Sequence, residues 1–121
     1  MNGVVEILEL KKGDLVKEKI EEFVIEKGWK EAYVMSALGS MVNVKLTNAA
    51  SFEIPPKIET TELKGPFEAL SFTGEVSINE NNEAYVHIHA SGSLTNSEAR
   101  GGGLLTAEVF RGLKIYIQKI K

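Results

Sequence analysis

The stretch Asp14-Leu15-Val16-Lys17-Glu18-Lys19-Ile20-Glu21-Glu22-Phe23-Val24-Ile25-Glu26-Lys27-Gly28 decides the fold class. Its apolar residues Val16, Ile20, Phe23 and Val24 fall at i, i+4, i+7 and i+8, and the stem of Lys27 follows at i+11. That spacing puts one apolar stripe on a helix of roughly 13 residues, long enough to cover one face of a sheet. Asp14 is placed to cap its first turn, and Gly28 stands where a left-handed C-cap is wanted. No other segment carries this period, so one helix is expected.

Outward from the helix, everything reads as strand and turn. Val4 to Leu10 precedes it as a strand closed by Lys11-Lys12-Gly13. After Trp29, strands are expected at Ala32–Leu38, bounded by Gly39, and at Met41–Leu46. Pro55-Pro56 must lie in a loop or at an edge. A weaker strand, Ile58–Leu63, ends at Gly65-Pro66. Leu70, Phe72, Val76 and Ile78 share one parity, and an Asn-rich turn at 79–83 joins them to Ala84–Ala90 as a hairpin. Ser91 to Gly103 is small, polar and glycine-rich, so it is a loop or contains one. Leu104–Phe110 and Leu113–Ile120 complete the set. One helix and seven or eight strands without repeats describe a single α+β domain over residues 1–121 with a largely antiparallel sheet. Leu104–Phe110 is too apolar for the exposed edge of a monomer, which favours assembly.

Composition removes several function classes. The 121 residues hold no cysteine, so disulfides, zinc–thiolate sites and a thiol nucleophile are excluded together. The apolar runs are too short for a membrane helix or a signal-peptide core, and a cytoplasmic address is expected. The net charge is −3, with 14 basic against 17 acidic side chains, and neither half of the chain is basic. A protein that binds DNA through phosphates usually carries the opposite excess, so DNA remains a possible partner that the charge does not support. The Glu and Lys bias, with one Gln, is the kind seen in heat-adapted proteins.

Few residues can carry chemistry. His87 and His89 are the only histidines, and on a strand they project to the same face. Two imidazoles can converge on a metal if a third ligand joins them; otherwise they line a polar groove or a subunit contact. Glu68 shares its parity with Leu70 and Phe72 and would be a general-base candidate if buried there, against the plainer role of a strand-end carboxylate. Arg100-Gly101-Gly102-Gly103 resembles a backbone nest for an anion, or a flexible loop. The phosphate-loop, dinucleotide, nucleophile-elbow and HExxH motifs are absent from the sequence, and no catalytic residue is assigned.

Three ordered motifs carry a family resemblance. Gly65-Pro66-Phe67-Glu68-Ala69-Leu70-Ser71-Phe72-Thr73-Gly74 is similar to the Gly-Arg-Phe-Glu-Ile-Leu-Ser-Leu-Ser-Gly segment of the plants and prokaryotes conserved domain. His87-Ile88-His89-Ala90-Ser91 resembles that family's His-Leu-His-Ala/Val-Ser strand, and Gly101-Gly102-Gly103-Leu104 falls at its Gly-Gly-His-Leu. Leu10–Asp14, the helix and Ser36–Ser40 are similar to its opening, so the likeness spans essentially the whole chain.

The resemblance implies an α/β domain that assembles as a homotrimer. It also implies a non-enzymatic, DNA-associated regulatory or assembly role, of the stand-alone prokaryotic type. In the plant proteins an AT-hook arm reads the DNA minor groove, and no such arm occurs in this sequence. Pro66 stands where the plant segment has arginine. Where the family has a third histidine this chain has Gly103, so the resemblance implies a cluster reduced to His87 and His89. No cofactor and no tight zinc are therefore expected. Glu68, Glu98 or a histidine of another subunit are the groups that could complete a weak divalent site. The competing reading is a small-ligand or weak metal-binding protein using a groove at Glu68, His87 and His89, with a small anion aided by the amides of Gly101 to Gly103.

Overall fold

The structure, a computed structural model, describes residues 3–121. Its elements in chain order are β1 (Val5–Lys11), α1 (Val16–Glu26), β2 (Glu31–Ala49), β3 (Ile58–Leu63), β4 (Phe67–Ile78), β5 (Ala84–Ser93) and β6 (Ala99–Lys119). All sheet pairings are antiparallel, in the order β1-β6-β5-β4-β2-β3, and β2 also pairs with β6. That last pairing closes β2, β4, β5 and β6 into a ring, with β1 and β3 as flaps beside it. The expected α+β architecture is present with six strands, fewer than the seven or eight read from the sequence.

Two mergers account for the difference. Ala32–Leu38 and Met41–Leu46 are parts of the single strand β2, which bends at Gly39 and shifts register between Gly39 and Met41. Leu104–Phe110 and Leu113–Ile120 are likewise one strand, β6, which starts as early as Ala99. Most of Ser91–Gly103 is therefore strand, and the loop it contains is confined to 94–98. β6 has neighbours on both sides, with β2 throughout most of its length facing β5 at one end and β1 at the other. Between β5 and β1, Leu104–Phe110 is bordered on that second side, among the described residues, only by the Leu15–Glu108 bridge and the bonds of Gly13 and Asp14 to Val109.

The helix has 11 residues, about two fewer than its stripe suggests, because the residues before it are held elsewhere. Asp14 accepts the Lys11 N–H through Oδ2 at 2.9 Å and so caps a turn. The N-cap is Leu15, without a side-chain cap. Gly13 donates to the Val109 carbonyl and Val109 donates to that of Asp14, which ties this segment to β6 before the helix begins. At the other end Gly28 has φ +70°, its N–H bonds Ile25 O, and Trp29 N–H bonds Val24 O. These two bonds make a Schellman cap. They bring the Trp29 ring edge-on to Phe23, with centroids 5.8 Å apart.

Val16, Ile20 and Val24 are fully buried and pack with Phe67, Phe72, Met41, Ile88, Ile115 and Ile117. The ion pairs, such as Lys45–Glu62 at 3.3 Å and Lys114–Glu9 at 3.8 Å, are solvent-exposed. Such pairs contribute about 0–1 kcal/mol each, so apolar burial holds the fold.

Gly39 tests the closure. It has φ +134°, and a Cβ there would run into the Gly112 carbonyl across the β2–β6 pairing. Gly28 also has positive φ, but a Cβ there meets open space. Gly39→Ala is expected to lose about 3 kcal/mol of stability in a denaturant titration, from strain plus overpacking. Gly28→Ala should lose only about 1–2 kcal/mol, the cost of the backbone conformation alone.

Candidate functional site

The alternation of β5 puts Val86, Ile88 and Ala90 into the core and Tyr85, His87 and His89 outward. The two imidazoles converge: their Nε2 atoms are 3.2 Å apart and their rings meet edge-on at 5.1 Å. The contact is a nitrogen-to-nitrogen hydrogen bond whose direction follows the tautomers. Two nitrogens bound to one tetrahedral ion at ordinary zinc distances lie roughly 3.3 Å apart, so the same separation suits a pair of ligands once both rings turn their Nε2 lone pairs toward the ion and carry their protons on Nδ1.

Gly103 of β6 is in register with both His89 and Thr47, one on each side. A Cβ on it would come 2.9 Å from Thr47 Oγ1 and 3.9 Å from His89 Nε2. The missing side chain leaves room beside the imidazoles. The resulting depression, about 370 Å³, is lined by His87, His89, Gly103, Thr47, Asn48 and Lys17, with Tyr85 at its rim. Its amides and hydroxyls offer hydrogen bonds, and Lys17 Nζ, 3.3 Å from the Leu104 carbonyl, adds one positive charge.

Other expected participants are elsewhere. Glu68 is exposed, not buried, because a register shift between Ala69 and Ser71 reverses the parity of β4. Phe67 and Phe72 point inward on either side of it, while Glu68 and Leu70 point out. Glu68 pairs with Ser93, four positions along β5 from His89, or about 13 Å at strand spacing. It does not reach the imidazoles. Arg100 and Glu98 pair with each other at 3.4 Å near the β5–β6 turn. Gly101 to Gly103 lie in the β6 ladder, so no nest forms. Asn48 Nδ2 donates to the Gly101 carbonyl, and a Cβ on Gly102 would collide with Asn48 and the Thr47 carbonyl, so close packing of β2 explains part of the glycine run. Among the described residues no three His, Asp or Glu side chains are grouped to hold a metal. Lys17, Thr47 and Asn48 were not foreseen, since only tertiary closure brings them here; Tyr85 shares the histidines' parity and was legible.

The sequence pattern of the Plants and Prokaryotes Conserved (PCC) domain matches residues 2–121. The chain belongs to the PCC-domain family. Among solved structures, the PCC domain described here is similar to a plant- and prokaryote-conserved protein of Pyrococcus horikoshii, with 27% identity and TM-score 0.85, covering 98% of this chain and 80% of that one. A metal-containing protein of Archaeoglobus fulgidus has 31% identity and TM-score 0.83, covering 97% and 79%. A Ralstonia eutropha protein, named as a candidate DNA-binding protein, shares the fold at 18% identity and TM-score 0.80, covering 94% and 76%. Among curated proteins none matches the chain. No helix among the described residues is long and apolar enough to cross a membrane.

Gly103→His tests what the gap costs. Thr47 must rotate its hydroxyl away, and the new imidazole then stands beside His89. Zinc affinity, measured by competition with a chromophoric chelator on protein without a histidine tag, should rise at least about tenfold, because a third ligand completes a facial set.

Proposed function

We propose that this PCC domain is a non-enzymatic protein that works by binding and assembly, with the His87–His89 depression as a site for a weakly held divalent cation. The observation that carries the reading is the 3.2 Å convergence of the two Nε2 atoms on an exposed face. The Archaeoglobus relative, named as metal-containing at 31% identity, supports it. Two protein ligands leave the remaining positions to water, which favours weak, exchangeable binding over a structural or catalytic centre. Family membership further suggests one domain over residues 1–121 that assembles as a homotrimer.

Zinc titration by calorimetry should give one saturable site per chain, roughly micromolar or weaker. Replacing both His87 and His89 with Ala should abolish it. The light-scattering mass of the same sample should be three times that of the chain. Stoichiometric binding that persists in the double variant would reject the site.

A second reading, association with DNA, draws on the naming of the Ralstonia relative and on Arg111 and Lys119. These two are exposed on β6 and enter no ion pair among the described residues. On a single chain the bases do not form a patch. Lys45, Lys114 and Lys121 each face a glutamate at 3.3, 3.8 and 3.6 Å. Lys45 lies opposite Thr106 and Lys119 opposite Ala32, toward opposite ends of β6. Only assembly could gather them. Duplex binding that weakens steeply between two salt concentrations would support this reading. Affinity no better than millimolar at low salt would dismiss it.

A further inference from the structure

A second cavity, also about 370 Å³, opens on the outer face of the sheet and is lined by Glu31, Tyr33, Glu75, Tyr85 and Ile120 over Val76. The register explains its composition. Glu31 lies opposite Ser77, which lies opposite Tyr85; in the adjacent row Tyr33 lies opposite Glu75. Carboxylates and rings thus share one face, with Ser77 between Glu31 and Tyr85 and Glu75 between Tyr33 and His87. Glu31 and Glu75 are diagonal neighbours across β2 and β4, about 7–8 Å apart at the backbone.

This arrangement favours positive charge twice over. Each carboxylate attracts it directly, and each tyrosine face attracts it through the ring quadrupole. Ile120, half-exposed, adds apolar surface suited to a methylene chain. An ammonium already uses part of the site: Lys121 Nζ lies 3.6 Å from Glu31 Oε1. Glu75 enters no ion pair among the described residues, so one carboxylate is occupied and the other open. The volume lies in the range of small-molecule sites.

We propose that this cavity binds a small organic dication of the diamine or polyamine class. One ammonium sits against Glu75 and the tyrosine rings, and the other replaces Lys121 at Glu31. The cavity adjoins the histidine depression: Tyr85 lines both, and Glu75 lies opposite His87 on β5.

Putrescine, titrated by calorimetry and by NMR at low salt, is the probe. Saturable one-to-one binding is expected, and n-butylamine, with a single ammonium, should bind about fivefold more weakly. Glu75→Gln should weaken putrescine by about fivefold and Tyr85→Leu by about two- to fivefold. Lys121→Ala should strengthen it by removing the competing ammonium. Glu75 and Tyr85 are both exposed, so neither change threatens the fold. The control is Glu53→Gln, an equal change of charge in the β2–β3 loop. Loss of affinity in the control as large as in Glu75→Gln would reduce the effect to diffuse attraction and overturn the proposal. No saturable binding in the millimolar range would overturn it as well. In the His87→Ala and His89→Ala double variant zinc binding should be lost while saturable putrescine binding persists; loss of both together would overturn the proposal, so the two readings fail separately.

Discussion

The antiparallel pairing of β2 with β6 is the constraint on which the molecule depends. It runs from Ala32 opposite Lys119 to Thr47 opposite Gly103, with several register shifts along the way. The shifts let two long strands bend together, and the bend closes the ring around Phe67, Phe72 and the isoleucines of β6. Helix α1 contributes one face of that core and is anchored to β6 by the bonds around Gly13 and Asp14. The histidine depression is a by-product of the same closure. It forms where β6 leaves β2 for β5, with Gly103 between Thr47 and His89.

The sequence made the helix legible because a 3.6-residue stripe is a property of the chain itself. Val16, Ile20 and Val24 are buried as the spacing requires, and Gly28 caps as expected. Strand limits were less legible, since a glycine can end a strand or bend one. Gly39 bends β2, while Gly101 to Gly103, whose composition is that of a loop, are strand residues at close approaches. Glu68 illustrates a second limit: parity carried across an unseen bulge assigns every residue beyond it to the wrong face.

The same distinction separates the parts of the sites. The convergence of His87 and His89 follows from strand alternation and could be anticipated. Their neighbours Thr47, Asn48 and Lys17 come from β2 and α1, far away in sequence. The acid–phenol face has the same origin, because residues on β2, β4 and β5 become neighbours only once the register is set. Local chemistry is written in local sequence; the surroundings that tune it are written in topology.

The position of β6 also bears on how the protein comes into being. Its three partners, β1, β2 and β5, all precede it in the chain. Until residues 99–119 leave the ribosome, those strands have an open side and the ring cannot shut. Folding must then bring β6 back against β1 across most of the chain, a distant closure whose entropy is lost before its contacts form. The nascent protein therefore passes through an interval with sticky, unpaired strand edges. The helix and the β4–β5 hairpin, both local, are the parts able to form while it waits.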